Sequence, residues 1–211
     1  MRTIRISRRH VSSKALQEAV AVLRRGGTIV YPTETSYGIG ADPGSVTAVQ
    51  GVYAIKGRSS RKPLPVIAGS FGQAAQWTVL TGRSRILAKR YWPGPLTLVV
   101  PFRTRRSVAW QHGGRPASIA IRVPGSAWAR ALAETFGSPI VSTSANISDG
   151  APVYSGGAVR RLFSGRERRP DLLLDAGQLP MCPPSTIVQV RRGVPEVLRE
   201  GGLTIDPSGD R

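Results

Sequence analysis

Apolar and polar residues are arranged along the chain in short segments typical of mixed strands and helices. Short apolar or alternating runs predict strands at 3–6, 28–31, 64–68, 96–102, 118–123, 140–141, 172–174, 186–190 and 196–199. Apolar positions spaced by three or four residues predict helices at 12–25, 45–55, 73–78, 84–91, 126–136 and 158–163. Because these elements mix without an internal repeat or a linker, they favour one mixed α/β (α+β) domain.

The stretch from Gly26 to Val66 holds the most informative pattern. The apolar strand at 28–31 is followed by a polar, hairpin-like segment at 33–38 and then by the helix at 45–55. A basic segment, KGRSSRKP, occupies 56–63. A strand, a hydroxyl-rich turn, a helix and a cationic loop in this order favour a small-molecule site that holds phosphate.

Three cations of the basic segment, Lys56, Arg58 and Lys62, are the candidate phosphate ligands. They follow a helix C-terminus, whose negative end attracts cations, and Gly57 would let the backbone approach a ligand. The segment lacks the Gly-x4-Gly-Lys-Ser/Thr pattern of a P-loop and the Gly-x-Gly-x-x-Gly pattern of a dinucleotide site. Taken alone, it is also typical of a solvated basic loop.

Hydroxyl and amide side chains cluster at the end of another predicted strand, in the segment STSAN at 142–146. Such groups can bind phosphate, ribose or a polar substrate, because strand ends open into ligand crevices. Ser, Thr and Asn are equally ordinary turn residues. Ser185, just before one of the last strands, and Arg199, at the end of the other, are further candidates, and the alternative for each is surface structure. The chain has no Gly-x-Ser-x-Gly sequence and no evident pair of carboxylates, so nothing in it indicates a hydrolase.

Alternation places Arg122 on the same strand face as Ser118 and Ala120. If that face borders the site, Ile119, Ile121 and Val123 pack into the core, and the planar guanidinium can bind a carboxylate with two parallel hydrogen bonds. The alternative is an Arg122 that points outward on a solvated sheet face.

Composition argues against disulfides, a zinc site, a membrane helix and secretion. One cysteine and two histidines in 211 residues exclude an internal disulfide framework and argue against a Cys/His zinc site. No apolar run reaches the roughly 20 residues of a membrane helix, and the N-terminus has no secretory signal, so we expect a cytoplasmic protein. The irregular, basic stretch 103–116 is predicted to be a mobile loop, and 206–211 a disordered tail.

The formal net charge of +18 favours polyanionic partners such as nucleic acid or nucleotides. The 26 arginines against four lysines also fit a simple compositional bias, with many arginines on solvated faces. Charge alone therefore leaves both interpretations open.

Together, eight short sequences resemble the threonylcarbamoyl-AMP synthase (YrdC-like) family, in its short single-domain form. They occur in family order and lie within roughly residues 12–203. They are YPTETSYGIGAD (31–42), KGR (56–58), KPL (62–64), WPGPLT (92–97), IRVP (121–124), STSAN (142–146), PSTI (184–187) and LREG (198–201). Each is weak alone, whereas the ordered set is specific.

The resemblance implies a twisted, open, mixed sheet flanked by helices, with a deep basic cavity of the YrdC/RibB-like type, spanning 1–205. It implies a nucleotidyltransferase that converts L-threonine, bicarbonate and ATP into threonylcarbamoyl-AMP and pyrophosphate. That product serves threonylcarbamoyladenosine formation at position 37 of tRNA, so tRNA or RNA and tRNA-modification proteins are expected partners. Mg²⁺ is expected to arrive with ATP, without a dedicated protein site.

The resemblance also implies roles for single residues. Lys56 and Arg58 are the expected catalytic cations. Expected threonine-binding positions are Thr35, Ile67, Arg122, Ser142 and Ser185. Expected ATP-binding positions are Arg58, Lys62, Ser118, Ser144, Asn146, Pro152 and Arg199. The chain departs from many members at Ser59, where proline is common, and at Ile67, where some members have a histidine.

Two other interpretations compete with the synthase. An RNA-binding module of the same fold fits the +18 charge, although the chain has neither RRM aromatic sequences nor a KH-type loop. The related carbamoyl-transferring domain of hydrogenase maturation is the third interpretation. It normally belongs to much longer chains with zinc-finger-like cysteines, and this chain has one cysteine.

Overall fold

The structure is a computed structural model, and it describes residues 1–103 and 117–205. Within these ranges the chain forms ten strands and six helices. The predicted mobile loop, except Arg103, and the predicted tail at 206–211 lie outside the described residues.

The strands share one sheet. They are β1 (Arg2–Arg5), β2 (Ile29–Pro32), β3 (Tyr37–Ala41), β4 (Val66–Ile67), β5 (Leu96–Pro101), β6 (Ser118–Arg122), β7 (Ile140–Ser144), β8 (Leu172–Asp175), β9 (Thr186–Arg191) and β10 (Val194–Arg199). The helices are α1 (Ser13–Arg24), α2 (Val46–Lys56), α3 (Phe71–Trp77), α4 (Gly82–Tyr91), α5 (Ala127–Phe136) and α6 (Gly156–Phe163).

The spatial order of the strands is β1-β8-β2-β3-β7-β4-β6-β5-β9-β10. Parallel pairs such as β4–β6 and β5–β9 occur beside antiparallel pairs such as β2–β3 and β3–β7. The sheet is therefore mixed, and β1 and β10 are its open edges. This confirms the predicted fold class.

Helices cover the apolar side chains on both faces of the sheet. On one face, α1 and α5 cover Ile29, Tyr31 and Ile67. On the other face, α2, α3, α4 and α6 contribute to a larger core that includes Val30 and Ile39. Successive β2 residues enter opposite cores because strand side chains alternate between faces.

The serines that precede the helices explain where several of them begin. Ser12, Ser45 and Ser126 each accept a hydrogen bond from the backbone N–H three residues later, which stabilises the first turn of α1, α2 and α5. Gly57 ends α2 with a left-handed φ of 58°. This positive φ explains why a glycine stands at the end of the helix. Gly57 does not border the cavity described below, so its backbone does not approach a ligand there.

The sequence patterns missed one strand. The segment after the hydroxyl-rich turn forms β3, a fully buried strand paired with β2 on one side and β7 on the other. Two of its five residues, Gly38 and Gly40, carry no side chain, so the segment lacks the alternation by which strands are recognised. The predicted strand at 64–68 is shorter, Val66–Ile67.

No helix among the described residues has the length and apolar character needed to span a membrane.

Candidate functional site

A cavity of about 490 Å³ opens among the central strands. Segments that are distant in sequence border it: the β2–β3 turn, the loop after α2 with β4, strands β5 and β6, the end of β7 with the loop that follows, the start of β9 and the end of β10. Its described lining includes the guanidinium groups of Arg58, Arg122 and Arg199 and no carboxylate. The cavity is therefore suited to anions.

Most predicted site residues border this cavity. They are Thr35, Arg58, Ile67, Arg122, Ser142, Ser144, Asn146, Pro152, Ser185 and Arg199. Three others do not. Ser118 is exposed at the start of β6, Lys62 is exposed on the loop after α2, and Lys56 is buried beneath the lining.

Arg122 is held at the cavity by an ion pair. The residue is 8% exposed, and its Nη1 donates to Glu34 Oε1 at 2.7 Å. The other oxygen of Glu34 accepts from the backbone N–H of Ser126 at the start of α5, at 3.2 Å. Glu34 therefore fixes one nitrogen of the guanidinium, while its other N–H groups bind no other side chain or carbonyl of the described residues and are left to bind a ligand.

The face assignment for β6 is confirmed. Ala120 and Arg122 border the cavity, and Ile119, Ile121 and Val123 are buried in the larger core. An outward, solvated Arg122 is thereby excluded.

Hydroxyl groups of the β2–β3 turn bond to one another. The Thr33 hydroxyl donates to the Ser36 carbonyl at 2.6 Å, so the Thr35 hydroxyl at 3.0 Å must be the donor in its contact with Thr33. The backbone N–H groups of Thr35 and Ser36 also point to the Thr33 oxygen. These contacts hold Thr35 against the cavity with its oxygen available as an acceptor.

Lys56 corrects the expectation of an exposed cationic loop. It is the last residue of α2 and is 2% exposed. Its ammonium donates to the carbonyls of Ser144 and Asn146 at 2.5 and 2.7 Å and to Asn146 Oδ1 at 3.0 Å. The helical turn before Gly57 aims Lys56 inward, where these three oxygens satisfy its three donors.

Burial lowers the pKa of Lys56 to about 8, and the positive charge of Arg58 adds to this effect while Asp149 opposes it. Lys56 remains protonated at neutral pH. Its contacts tie the end of α2 to the segment after β7, and the Ser144 hydroxyl in turn donates to Asn146 Oδ1. Lys56 thus stabilises the part of the cavity wall that carries Ser144 and Asn146.

Arg58 lies on the cavity side of the loop. Its Nε and Nη2 donate to the carbonyls of Lys62 and Pro63 at 3.4 and 3.2 Å. These contacts curl the loop 58–63 around the guanidinium. Arg58 borders the cavity as a result, whereas the Lys62 side chain points to solvent.

Arg199 closes the opposite side. Its guanidinium donates to the Ser185 carbonyl at 2.6 Å and to the Ser185 hydroxyl at 3.1 Å, and that hydroxyl also contacts Thr97 at 2.8 Å. Burial lowers the pKa of Arg199 from its ordinary value, and the nearby charge of Arg122 adds to the shift. Two guanidinium groups that affect each other across one cavity would both attract a bound anion.

Several residues that border the cavity are not among the predicted site residues. They include Tyr37, Thr97, Val99, Tyr154 and Cys182. The Tyr154 hydroxyl donates to the Cys182 carbonyl at 3.1 Å, which joins two segments of the wall. No local pattern marks Cys182, because it lies in a loop between strands without a periodic arrangement.

A family model for Sua5, YciO and YrdC proteins, described as telomere recombination, matches residues 21–201. A protein named threonylcarbamoyl-AMP synthase from Thiobacillus denitrificans is 39% identical over 168 residues, which cover 74% of this chain and 87% of that protein. The chain belongs to this family. A second protein of that name, from Halorhodospira halophila, is 41% identical over 152 residues, which cover 72% of this chain and 78% of its own length.

The Sua5/YciO/YrdC fold is also seen in solved structures. The structure of P. abyssi Sua5 complexed with L-threonine superposes with a TM-score of 0.83 at 32% identity, and the match covers 96% of this chain. This chain spans 57% of the length of that P. abyssi protein.

The cavity of this family member offers no group of carboxylate, histidine and cysteine side chains for a metal ion. The described residues contain no cluster of three or more such groups.

Proposed function

We propose that this chain is a threonylcarbamoyl-AMP synthase, which makes threonylcarbamoyl-AMP and pyrophosphate from L-threonine, bicarbonate and ATP. The observation that carries the proposal is the convergence of Arg58, Arg122 and Arg199 on one cavity with no carboxylate in its described lining. Two relatives with this activity in their names share 39% and 41% identity with the chain.

The reaction balances as an adenylation. The amino group of threonine and bicarbonate give a carbamate and water. A carbamate oxygen then forms a bond to the α-phosphorus of ATP, and the bond from that phosphorus to the bridging oxygen breaks to release pyrophosphate. Charge develops on the phosphate oxygens during this exchange.

Fixed cations can accelerate this step without a general base, because positioning and electrostatic stabilisation dominate phosphoryl chemistry. Arg58 is the guanidinium we assign to the triphosphate, and Arg122 the one we assign to the threonine carboxylate. The ion pair with Glu34 holds Arg122 in place before the substrate binds. Mg²⁺ would enter with ATP and screen its phosphate charges.

The adenylate product is a mixed anhydride, which water hydrolyses. We therefore place the chain before a transferase that moves the threonylcarbamoyl group to adenosine 37 of tRNA. Direct contact with tRNA or with such a partner protein would shorten the exposure of the product to water.

Pyrophosphate release is the decisive assay. The protein is incubated with ATP, Mg²⁺, bicarbonate and one amino acid at a time. We expect release that requires both bicarbonate and L-threonine. Release that is equal without threonine, or no release with all components present, would overturn the proposal.

The RNA-binding alternative is supported by the charge of +18. It predicts tight binding to a generic RNA duplex, with an affinity that falls steeply as salt rises. ATP binding measured at the same salt concentrations separates the two functions. A synthase retains saturable ATP binding where duplex binding has been lost.

A further inference from the structure

Ser142 differs from Thr33 and Ser144, two other hydroxyls of the cavity wall, in how its proton is used. The protons of Thr33 and Ser144 are donated to the Ser36 carbonyl and to Asn146 Oδ1. The Ser142 oxygen instead accepts a hydrogen bond, at 2.7 Å, from the phenol of Tyr31. Within the described residues, the Ser142 hydroxyl donates to no protein acceptor.

The direction of this hydrogen bond follows from burial. Tyr31 is 0% exposed, and Ser142 is the one partner that its hydroxyl has among the described residues. If Tyr31 were the acceptor, its own proton would be buried without a partner, which is unfavourable. Burial also raises the pKa of the phenol well above its ordinary value, and the hydrogen bond to Ser142 offsets only part of the shift. Tyr31 is therefore a permanent donor.

The Tyr31 side chain reaches Ser142 by crossing one intervening strand. Tyr31 lies on β2 and Ser142 on β7, with β3 between them. The tyrosine ring crosses β3 above Gly40, where an added Cβ would stand 2.8 Å from Tyr31 Cε1. Tyr31 itself packs among the apolar residues under α5 and does not border the cavity.

We infer that Tyr31 is a positioning residue that fixes Ser142 as a hydrogen-bond donor to an oxygen of the bound amino acid. With its oxygen engaged by Tyr31, Ser142 presents its proton to the cavity. It then favours carboxylate or carbamate oxygens over an ammonium group. Thr35, which borders the same cavity, presents an oxygen, so the two hydroxyls give the pocket opposite hydrogen-bonding polarity.

This inference rests on the proposed function for the identity of the ligand. It is tested by equilibrium binding of L-threonine and, separately, of ATP to the full chain, measured by calorimetry. The variants are Tyr31→Phe, Ser142→Ala and the double variant. Tyr31→Phe keeps the packed ring and removes only the hydroxyl.

We expect Tyr31→Phe to weaken threonine binding by about threefold to tenfold, the scale of one net hydrogen bond. ATP binding should change by less than about twofold, since Tyr31 acts through Ser142. In the Ser142→Ala background, adding Tyr31→Phe should have no further effect on threonine binding. A purely structural role would weaken both ligands and would persist in that background.

Thr78→Val is the matched control. It removes another buried hydroxyl, which donates to the Ala74 carbonyl at 2.8 Å and does not border the cavity. The control should lower the melting temperature without changing threonine affinity. Additive effects of Tyr31→Phe and Ser142→Ala, or unchanged threonine binding in Tyr31→Phe, would overturn the inference while leaving the synthase proposal intact. A wild-type protein that binds no threonine and releases no pyrophosphate would overturn both.

Discussion

Arg122 Nη1 donates to Glu34 Oε1 at 2.7 Å, which joins β6 to the turn between β2 and β3. The arginine is 8% exposed, so its charge would be unfavourable without this carboxylate. The pair therefore supplies the cavity with a guanidinium that is already oriented.

Arg122→Lys tests the fork geometry. A lysine keeps the charge but cannot bind Glu34 and a substrate carboxylate with separate, parallel N–H groups. We expect threonine affinity to fall by about 1–3 kcal/mol and ATP affinity to change by a few tenths, measured by calorimetry. Arg166→Lys, at an exposed arginine that donates to the Leu162 carbonyl, is the control and should change neither. Equal weakening of both ligands would mean that Arg122 is misassigned.

Arg58→Ala and Lys62→Ala remove one positive charge each from the same loop. Arg58 borders the cavity and Lys62 does not. Arg58→Ala should weaken ATP binding by about 1.5–3 kcal/mol, the scale of a charged hydrogen bond, and Lys62→Ala by clearly less. Circular dichroism should change little in either variant. Similar losses would show that general loop charge, rather than Arg58 itself, attracts ATP.

Lys56 predicts a specific pH dependence of stability. Its pKa of about 8 in the folded protein lies below the ordinary 10.5, so between these values the unfolded chain binds more protons. The free energy of unfolding therefore rises with pH in that window, by at most about 1.4 kcal/mol per pH unit. Below pH 8 both states are protonated and the contribution is constant.

Urea unfolding of the wild type and of Lys56→Met, from pH 7 to 10.5, isolates this contribution, since other groups titrate in both proteins. The advantage of the wild type should grow above pH 8. A difference that stays flat or shrinks would contradict the lowered pKa. At neutral pH the variant should be less stable, because the Ser144 and Asn146 carbonyls lose their donor.

Gly40→Ala tests the space that the Tyr31 ring needs. A Cβ at Gly40 would lie 2.8 Å from Tyr31 Cε1. Displacing the ring should destabilise the protein by about 1–3 kcal/mol, as overpacking does, and lower threonine affinity through Ser142. Gly51→Ala in α2 is the control: its Cβ would meet only Thr28 Cγ2 at 3.7 Å. That variant should be more stable by about 0.5–1 kcal/mol.

Most helices and strands could be predicted from the sequence, because their patterns are local. The helices predicted at 12–25 and 126–136 and the strand at 118–123 needed only near neighbours. β3 escaped detection because Gly38 and Gly40 interrupt its pattern. Most site residues that the family resemblance implied do border the cavity, but the resemblance could not tell which cations face it: Lys56 is covered, and Lys62 points to solvent.

The sequence by itself determined the α/β pattern, the family and the hydroxyl and arginine positions of the site. Only the tertiary structure decided which of these groups meet. Arg122 and Glu34 are 88 residues apart, and Tyr31 and Ser142 are 111 apart. Local periodicity predicts which face of a strand a side chain occupies. The order of the strands in the sheet decides which other side chains lie beside it. Here that order places β3 between β2 and β7, and its Gly40 leaves Tyr31 room to reach Ser142.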